Sequence, residues 1–343
     1  MLDIREAIKY VISGNDLEKK QMISVMRSIM LGQTTDAQNA AFLVGLQMKG
    51  VKSDELLGGA AVMRELSTKV NVEPGPYLVD TCGTGGSGSN KFNVSTAAAI
   101  VAASAGARVA KHGNRGATST SGSADVLEAA GVRLTLEADK VAMAIEQIGV
   151  GFMFAPAHHS AMKHVIAARK EIGVRTIFNL LGPLTNPAGS PNQIIGVFDP
   201  VWIPIFLEVL RELGSNHVMI VSADDGLDEI SIASETQVGE LKGGKVTTYT
   251  ISPSDFGIEQ YPDCSSLHIN SAEESLVMLK QAFANENQPA TEIVALNAGA
   301  AIYVANLCED LLAGVTKARE VLESGIAQEK FDQLVQFTQM ADG

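Results

Sequence analysis

Cysteine is scarce. Cys82, Cys264 and Cys308 are the three in 343 residues, and no two of them form a C-x-x-C pair. That excludes a disulfide framework and a cysteine zinc site, and it suits a reducing compartment. Basic residues are also short: 26 Lys and Arg face 39 Asp and Glu, for a net charge of −13. Such a chain repels phosphate backbones over most of its surface, so no nucleic-acid partner is expected. Any anion site must be a local basic island. Long hydrophobic runs are missing too. The longest, residues 97–107, is interrupted by Ser104 and is far shorter than the ~20 residues of a membrane span. The N-terminus mixes charged and apolar residues from its third position and lacks a signal-peptide layout. The expectation is a soluble, cytoplasmic protein with no membrane partner.

What is present is enough apolar material, 46% of the chain, for a sizeable core, and a length that predicts about two domains. Residues 1–70 carry helical signals alone. One helix is expected over 17–31 and a second from Thr35, where Gln38 completes a capping box, to Gly50. A third should run from Ser53 to about Leu66. Pro74, Gly75 and Pro76 read as a linker. Beyond it the pattern alternates. Strands are expected over 77–82, 107–111, 151–155, 194–198 and 217–221, with helices over 94–105, 124–130, 137–148 and 203–213. A late strand is expected over 293–297, before closing helices from Ala301. Alternation of this kind predicts an α/β fold: a small all-helical N-terminal domain plus a larger domain with a mostly parallel central sheet flanked by helices.

Between the first strand and its helix lies Asp80-Thr81-Cys82-Gly83-Thr84-Gly85-Gly86-Ser87-Gly88. Gly83, Gly85 and Gly88 match G-x-G-x-x-G, the dinucleotide fingerprint, but the context fails. Five residues, 89–93, precede the helix, and the next strand ends in Lys111-His112 where an acid is required. A more general reading survives: glycines turn backbone N–H groups toward an anion at a helix start, with Asn93, Ser95 and Thr96 adding donors. A plain tight turn capped by Asn93 or Ser95 fits the glycines equally. The following loop favours the anion, because Lys91, Arg108, Lys111 and Arg115 outnumber Asp80 and Asp125 in this segment. In a parallel sheet both loops open at the same edge. The ligand expected there is small, highly anionic and hydroxylated.

Gly83-Thr84-Gly85-Gly86, Asn93-Val94-Ser95-Thr96, Lys111-His112-Gly113-Asn114-Arg115 and Ser121-Gly122-Ser123-Ala124-Asp125 stand in an ordered series. With Phe154 to His159, Phe178 to Pro187 and Gly226-Leu227-Asp228-Glu229, that series resembles the anthranilate phosphoribosyltransferase family of tryptophan biosynthesis. The resemblance runs almost the length of the chain. It implies transfer of a ribose phosphate from phosphoribosyl pyrophosphate to the amine of anthranilate, releasing pyrophosphate with Mg2+, about two ions per subunit. It puts the phosphoribosyl pyrophosphate site on Gly83, Gly86, Ser87 and Lys91, and on Asn93, Val94, Ser95 and Thr96 at the helix start. That site continues through Lys111, His112, Gly113, Asn114, Arg115, Gly116, Ala117, Thr118 and Ser119 to Ser123. Anthranilate contacts fall on Gly83, Asn114 and Arg169, with Pro183 at a hinge, and metal coordination falls on Ser95, Asp228 and Glu229. The implied division is a helical dimerisation domain, 1–72 with part of about 163–185, and an α/β phosphoribosyl-binding domain, 73–162 and 186–343. A homodimer follows, while association with an amidotransferase stays open.

Residue chemistry alone is more reserved. Asp228 and Glu229 belong to a run with Asp224 and Asp225 that equally suits a solvated acidic turn, and Arg169 beside Lys170 equally suits an exposed helix face. His158, His159 and His164 lack zinc-site spacing. No residue is assigned as a covalent nucleophile or general base, so catalysis is expected to be positional and electrostatic. The family has Asp after the glycine run, where this chain has Ser87, and a small hydroxyl residue where this chain has Lys91. A more positive loop and an altered Mg2+ dependence are therefore expected. The alternatives are a pyrimidine nucleoside phosphorylase-like enzyme, whose base-recognition motifs are not apparent, and a non-catalytic nucleic-acid-binding relative, which the net charge disfavours.

Overall fold

The computed structural model describes residues 2–73, 75–86, 88–116 and 119–341. The N-terminal bundle is built from α1 (Ile4–Ile12), α2 (Lys19–Met30), α3 (Asp36–Lys49) and α4 (Ser53–Leu66). The capping box forms: Gln38 N donates to Thr35 Oγ1 at 3.3 Å and Thr35 N to Gln38 Oε1 at 3.0 Å. Glu55 of α4 ties its own helix to α3 and to the segment leading into α2 from inside. Its buried carboxylate accepts Leu17 N at 2.9 Å, Lys52 N at 2.9 Å and Lys49 Nζ at 2.8 Å.

The remainder alternates: β1 (Leu78–Asp80), α5 (Val94–Ser104), β2 (Arg108–Gly113), α6 (Ser123–Ala129), α7 (Ala138–Ile148) and β3 (Val150–Phe154). Then come α8 (Ala155–His158), α9 (Ile166–Ile172), α10 (Ile177–Leu181), β4 (Asn192–Gly196), α11 (Trp202–Glu212) and β5 (His217–Ala223). A hairpin of β6 (Thr236–Lys242) and β7 (Lys245–Ile251) follows, and then α12 (Ala272–Phe283), α13 (Gln288–Val304), α14 (Leu311–Ser324) and α15 (Ile326–Met340). The seven strands form one sheet in the order β3-β2-β1-β4-β5-β6-β7, parallel through β5 and antiparallel thereafter. The hairpin turns on Gly243 and Gly244, both at positive φ, the conformation a two-residue connection needs.

Ile177, Phe178, Leu180 and Leu181 return to the helical bundle and share its core with Leu43, Leu46 and Leu56. That core continues into Ile195, Val197 and Phe206 on one face of the sheet, while α5 and α13 bury the other face. The strand expected over 293–297 is instead the middle of α13, a 17-residue helix capped by Asn287, whose side chain accepts Ala290 N. It is buried on every side, so it shows no helical hydrophobic period, and the β-branched Ile293 and Val294 give the apolar run the look of a buried strand. The helix expected from Ala301 therefore begins at Gln288.

The order of strands reverses beside β1, whose parallel neighbours are β2 and β4, and a crevice opens there at their carboxyl ends. Main chain packs on main chain at this point. A Cβ on Gly196, the last residue of β4, would lie 1.5 Å from Asp228 O, and one on Gly83 would lie 2.9 Å from Gly196 O. Thr84 N donates to Gly196 O at 2.8 Å. Beneath the crevice, the buried Asp80 accepts His112 N at 3.1 Å and Asn186 Nδ2 at 2.7 Å, and burial pushes its carboxyl up to about 6. His112 and His159 stack obliquely with centroids 5.2 Å apart, and His112 Nδ1 meets Gly182 O at 3.2 Å. That carbonyl is an acceptor, so Nδ1 carries the proton. Burial, reinforced by His159, pulls His112 down to about 3; burial beside His158 pulls His159 down to about 4.

Gly196→Ala is expected to cost about 3 kcal/mol or more in urea unfolding, because the loop holding Asp228 must leave the strand end. An unaltered midpoint would refute the close approach. The paired imidazoles remain neutral when folded but gain protons near 6.5 when unfolded, so stability falls as pH drops from 6.5 toward 4. His159→Gln is expected to remove roughly 2 kcal/mol of the loss between pH 7.5 and 5. An unchanged pH slope in urea titrations would count against it.

Candidate active site

Three loops at the carboxyl edge of the sheet and a wall of short helices enclose a cleft of about 330 Å³, a size suited to a small ligand. The first is the glycine loop after β1, which turns at Gly85 and Gly86, both at positive φ. It leads to the start of α5, where the N-cap residue Asn93 does not cap the helix with its own side chain. Asn93 is engaged elsewhere: Ser121 Oγ and Ser275 Oγ donate to its Oδ1 at 2.8 and 2.7 Å, and its Nδ2 donates to Ser121 O at 3.1 Å. The asparagine amide thus ties the glycine loop, the second loop and α12 together, and leaves the first-turn N–H groups of α5 to partners on the cleft side.

The second loop, after β2, is drawn closed by Asp125. Its Oδ2 accepts Gly116 N at 2.9 Å and Gly122 N at 2.8 Å, while Oδ1 holds Arg115 at 3.0 Å. Glu128 takes the same guanidinium in two bonds of 2.6 and 2.9 Å. Lys111 is buried on the floor, its Nζ donating to Thr81 Oγ1 at 3.0 Å and Ser95 Oγ at 3.4 Å. Burial pulls its ammonium below the ordinary lysine range.

The third loop, after β5, carries Asp228 and Glu229 on irregular backbone, so the two adjacent carboxylates face the same space. Asn297 of α13 fixes it: Oδ1 accepts Ile230 N at 3.0 Å and Nδ2 donates to Ile230 O at 3.0 Å. Ser95 N donates to Glu229 Oε1 at 3.2 Å, which joins Ser95 to the pair. Lys91 Nζ stands 3.1 Å from Asp228 Oδ1 and 3.3 Å from Glu229 Oε2. Burial pushes Glu229 up to about 7, with Asp228 adding to the rise against the pull of Lys91. Glu229 Oε2 is buried and accepts no hydrogen bond of good geometry. Among the described residues no group of three or more His, Cys, Asp or Glu side chains is arranged to hold a metal. Two carboxylates and a hydroxyl nevertheless fit Mg2+, which takes one or two carboxylates and leaves the other positions to phosphate and water.

The far wall comes from α9, α10 and the chain between them. Arg169 lies over Phe178, 5.3 Å from the ring centroid, and Arg175 over Phe198 at 4.3 Å. Neither arginine is in an ion pair among the described residues. Arg175, Asn179, Phe198 and Asn297 are neighbours of the cleft that sequence reading missed. Asn179 stood inside a quoted motif without a role, and Arg175 lay just before it. Five cations (Lys91, Lys111, Arg115, Arg169 and Arg175) line the cleft with two carboxylates, an electropositive pocket in an acidic chain.

Of the anticipated residues, Gly83, Gly86, Lys91, Asn93, Ser95, Lys111, His112, Gly113, Asn114, Arg115, Gly116, Ser119, Ser123, Arg169, Asp228 and Glu229 border this one cleft. Val94 and Thr96 turn into the core, 0% and 1% exposed. Ser87, Ala117 and Thr118 lie outside the described residues. Cys82 also borders the cleft, but burial and Asp80 hold its thiol well above the ordinary range, which leaves it no nucleophilic character.

Residues 5–67 match the helical bundle domain of the glycosyl transferase family, and residues 75–328 match that family's a/b domain. Anthranilate phosphoribosyltransferase from Teredinibacter turnerae is 56% identical over 341 residues, 98% of this chain and 99% of that protein. A crystal structure of the Thermus thermophilus anthranilate phosphoribosyltransferase superposes with a TM-score of 0.91 at 41% identity, covering 97% of this chain and 99% of the other. The Saccharomyces cerevisiae anthranilate phosphoribosyltransferase in complex with PRPP and Mg gives 0.89 at 27% identity, with 98% of each chain covered. Identity at this level over nearly the whole length, on a shared two-part architecture, makes this chain a member of the anthranilate phosphoribosyltransferase family.

Proposed function

We propose that the chain transfers the phosphoribosyl group of phosphoribosyl pyrophosphate to the amine of anthranilate, releasing pyrophosphate, in tryptophan biosynthesis. The observation that carries this reading is the polarity of one cleft. Loop amides, the start of α5 and buried cations occupy one end; two arginines beside aromatic rings, in no ion pair among the described residues, occupy the other. A polyanionic donor fits the first end, and a flat aromatic carboxylate fits the second.

The residues divide the work. Gly83 and Gly86 bring backbone close to the donor, and the first turn of α5 favours its negative charge. Lys111, held on Thr81 and Ser95, supplies a fixed positive charge beneath. Arg115 covers the outer side. Ser95, Asp228 and Glu229 would hold Mg2+, which when bound offsets pyrophosphate charge and makes it a better leaving group. Arg169 grips the anthranilate carboxylate in a two-point ion pair, and Asn114 and Gly83 border the ring. The neutral His112 keeps charge away from the seam. The amine is already nucleophilic, so orienting it against the anomeric carbon suffices and no strong base is required.

The same reading assigns residues 1–72 with about 163–185 to a dimerisation domain, and 73–162 with 186–343 to phosphoribosyl binding. Tyr10, Ile12, Leu31 and Met48 leave apolar side chains exposed on the bundle, a surface suited to a second copy. No described helix is long and apolar enough to cross a membrane, and the three free cysteines suit the cytoplasm.

The test is loss of anthranilate fluorescence on adding phosphoribosyl pyrophosphate and Mg2+, with and without EDTA. Decay that EDTA abolishes is expected; absence of decay with a folded protein would overturn the acceptor assignment. Arg169→Ala is expected to raise the KM for anthranilate about tenfold or more while altering kcat much less, the signature of a lost ground-state contact.

A further inference from the structure

Lys91 is a buried cation seated on two buried carboxylates. Its side chain is 7% exposed, those of Asp228 and Glu229 are 14% and 13%, and the ammonium also meets Ser89 Oγ at 2.9 Å. The lysine stem is not free to wander. Its backbone pairs with His268 in an antiparallel bridge, Phe92 N donates to Leu267 O at 3.0 Å, and Ile269 N donates to Asn90 O at 2.7 Å. The carboxylates are equally fixed, by Asn297 on Ile230 and by the contact of Asp228 main chain with Gly196. Two adjacent anions held in one low-dielectric pocket repel each other and need a cation between them. A divalent ion meets that need with two charges, and an ammonium meets it with one. The space between these carboxylates admits one or the other.

We propose that Lys91 is a tethered internal cation that takes the place of a divalent metal ion between Asp228 and Glu229. This rests on reading the carboxylate pair as part of the phosphoribosyl transfer site. The metal affinity of the pair is consequently set by the chain itself. The ammonium must be displaced before a metal ion can bridge both carboxylates, so the protein binds free Mn2+ or Mg2+ weakly there and keeps the pair neutralised without it.

The experiment titrates Mn2+ into the full chain and reads free Mn2+ by electron paramagnetic resonance. Wild type, Lys91→Met, Lys91→Thr and the double variant Lys91→Met with Asp228→Asn are compared. Lys91→Met keeps the length of the stem, and Lys91→Thr serves if the methionine variant does not give a native circular dichroism spectrum. Expected is about tenfold tighter Mn2+ binding once the ammonium is gone, with the gain lost again in the double variant. Unchanged Mn2+ affinity in folded Lys91 variants would overturn the proposal, as would a gain that survives Asp228→Asn. The fluorescence assay keeps the two readings apart. Absence of turnover with a Mn2+ gain removes the acceptor assignment alone, and turnover without a Mn2+ gain removes the internal cation alone.

Discussion

Contact of main chain with main chain at the end of β4 is the constraint on which the cleft depends. Gly196 has no Cβ, so the loop bearing Asp228 rests directly on the strand, and Gly83 rests on Gly196 from the other side. Three segments, the first more than a hundred residues before the other two, thereby meet without side chains between them. Any spacer would push the glycine loop and the carboxylate pair apart. Strand order adds to this: β1 sits where the connections reverse direction, so a crevice opens beside the carboxyl ends of β1 and β4.

Electrostatics then works against the background of the chain. A net charge of −13 spread over the surface keeps polyanions away, while five cations gather in one cleft. These cations are held in different ways. Lys111 is anchored on neutral oxygens, Arg115 on surface acids, Lys91 on the carboxylate pair, and Arg169 and Arg175 lie on aromatic faces. The last two keep their hydrogen-bonding edges available, which is what recognition of a planar carboxylate requires.

Local chemistry was the legible part. The helix start at Thr35 is visible because its cap involves residues three apart, the one at Ser53 because acids fill its first turn, and both anion loops because glycines and basic residues cluster in sequence. The buried α13 was not, since a helix enclosed on all sides has no polar face to mark its period. The β6–β7 hairpin went unread despite its Gly243-Gly244 turn, because the alternation around it is weak: Gln237 is exposed, but 238–241 are all buried, and β7 is mostly exposed. Lys91 pairs with a carboxylate 137 positions away, and Asn297 holds a loop 67 positions before it. Such partnerships belong to the fold and leave no mark at short range.

The cleft is built from two materials. Main-chain amides and glycines make up much of the end assigned to the donor, while the side chains of Arg169, Arg175, Phe178 and Asn179 form the end assigned to the acceptor, on two short helices and the chain between them. Amides are insensitive to most substitutions, whereas a side chain changes with a single codon. The nucleophile is therefore the easier half of the reaction to exchange over evolutionary time. A descendant of this scaffold can acquire a new acceptor through changes in about ten residues of α9 and α10 and keep its sugar-phosphate chemistry intact.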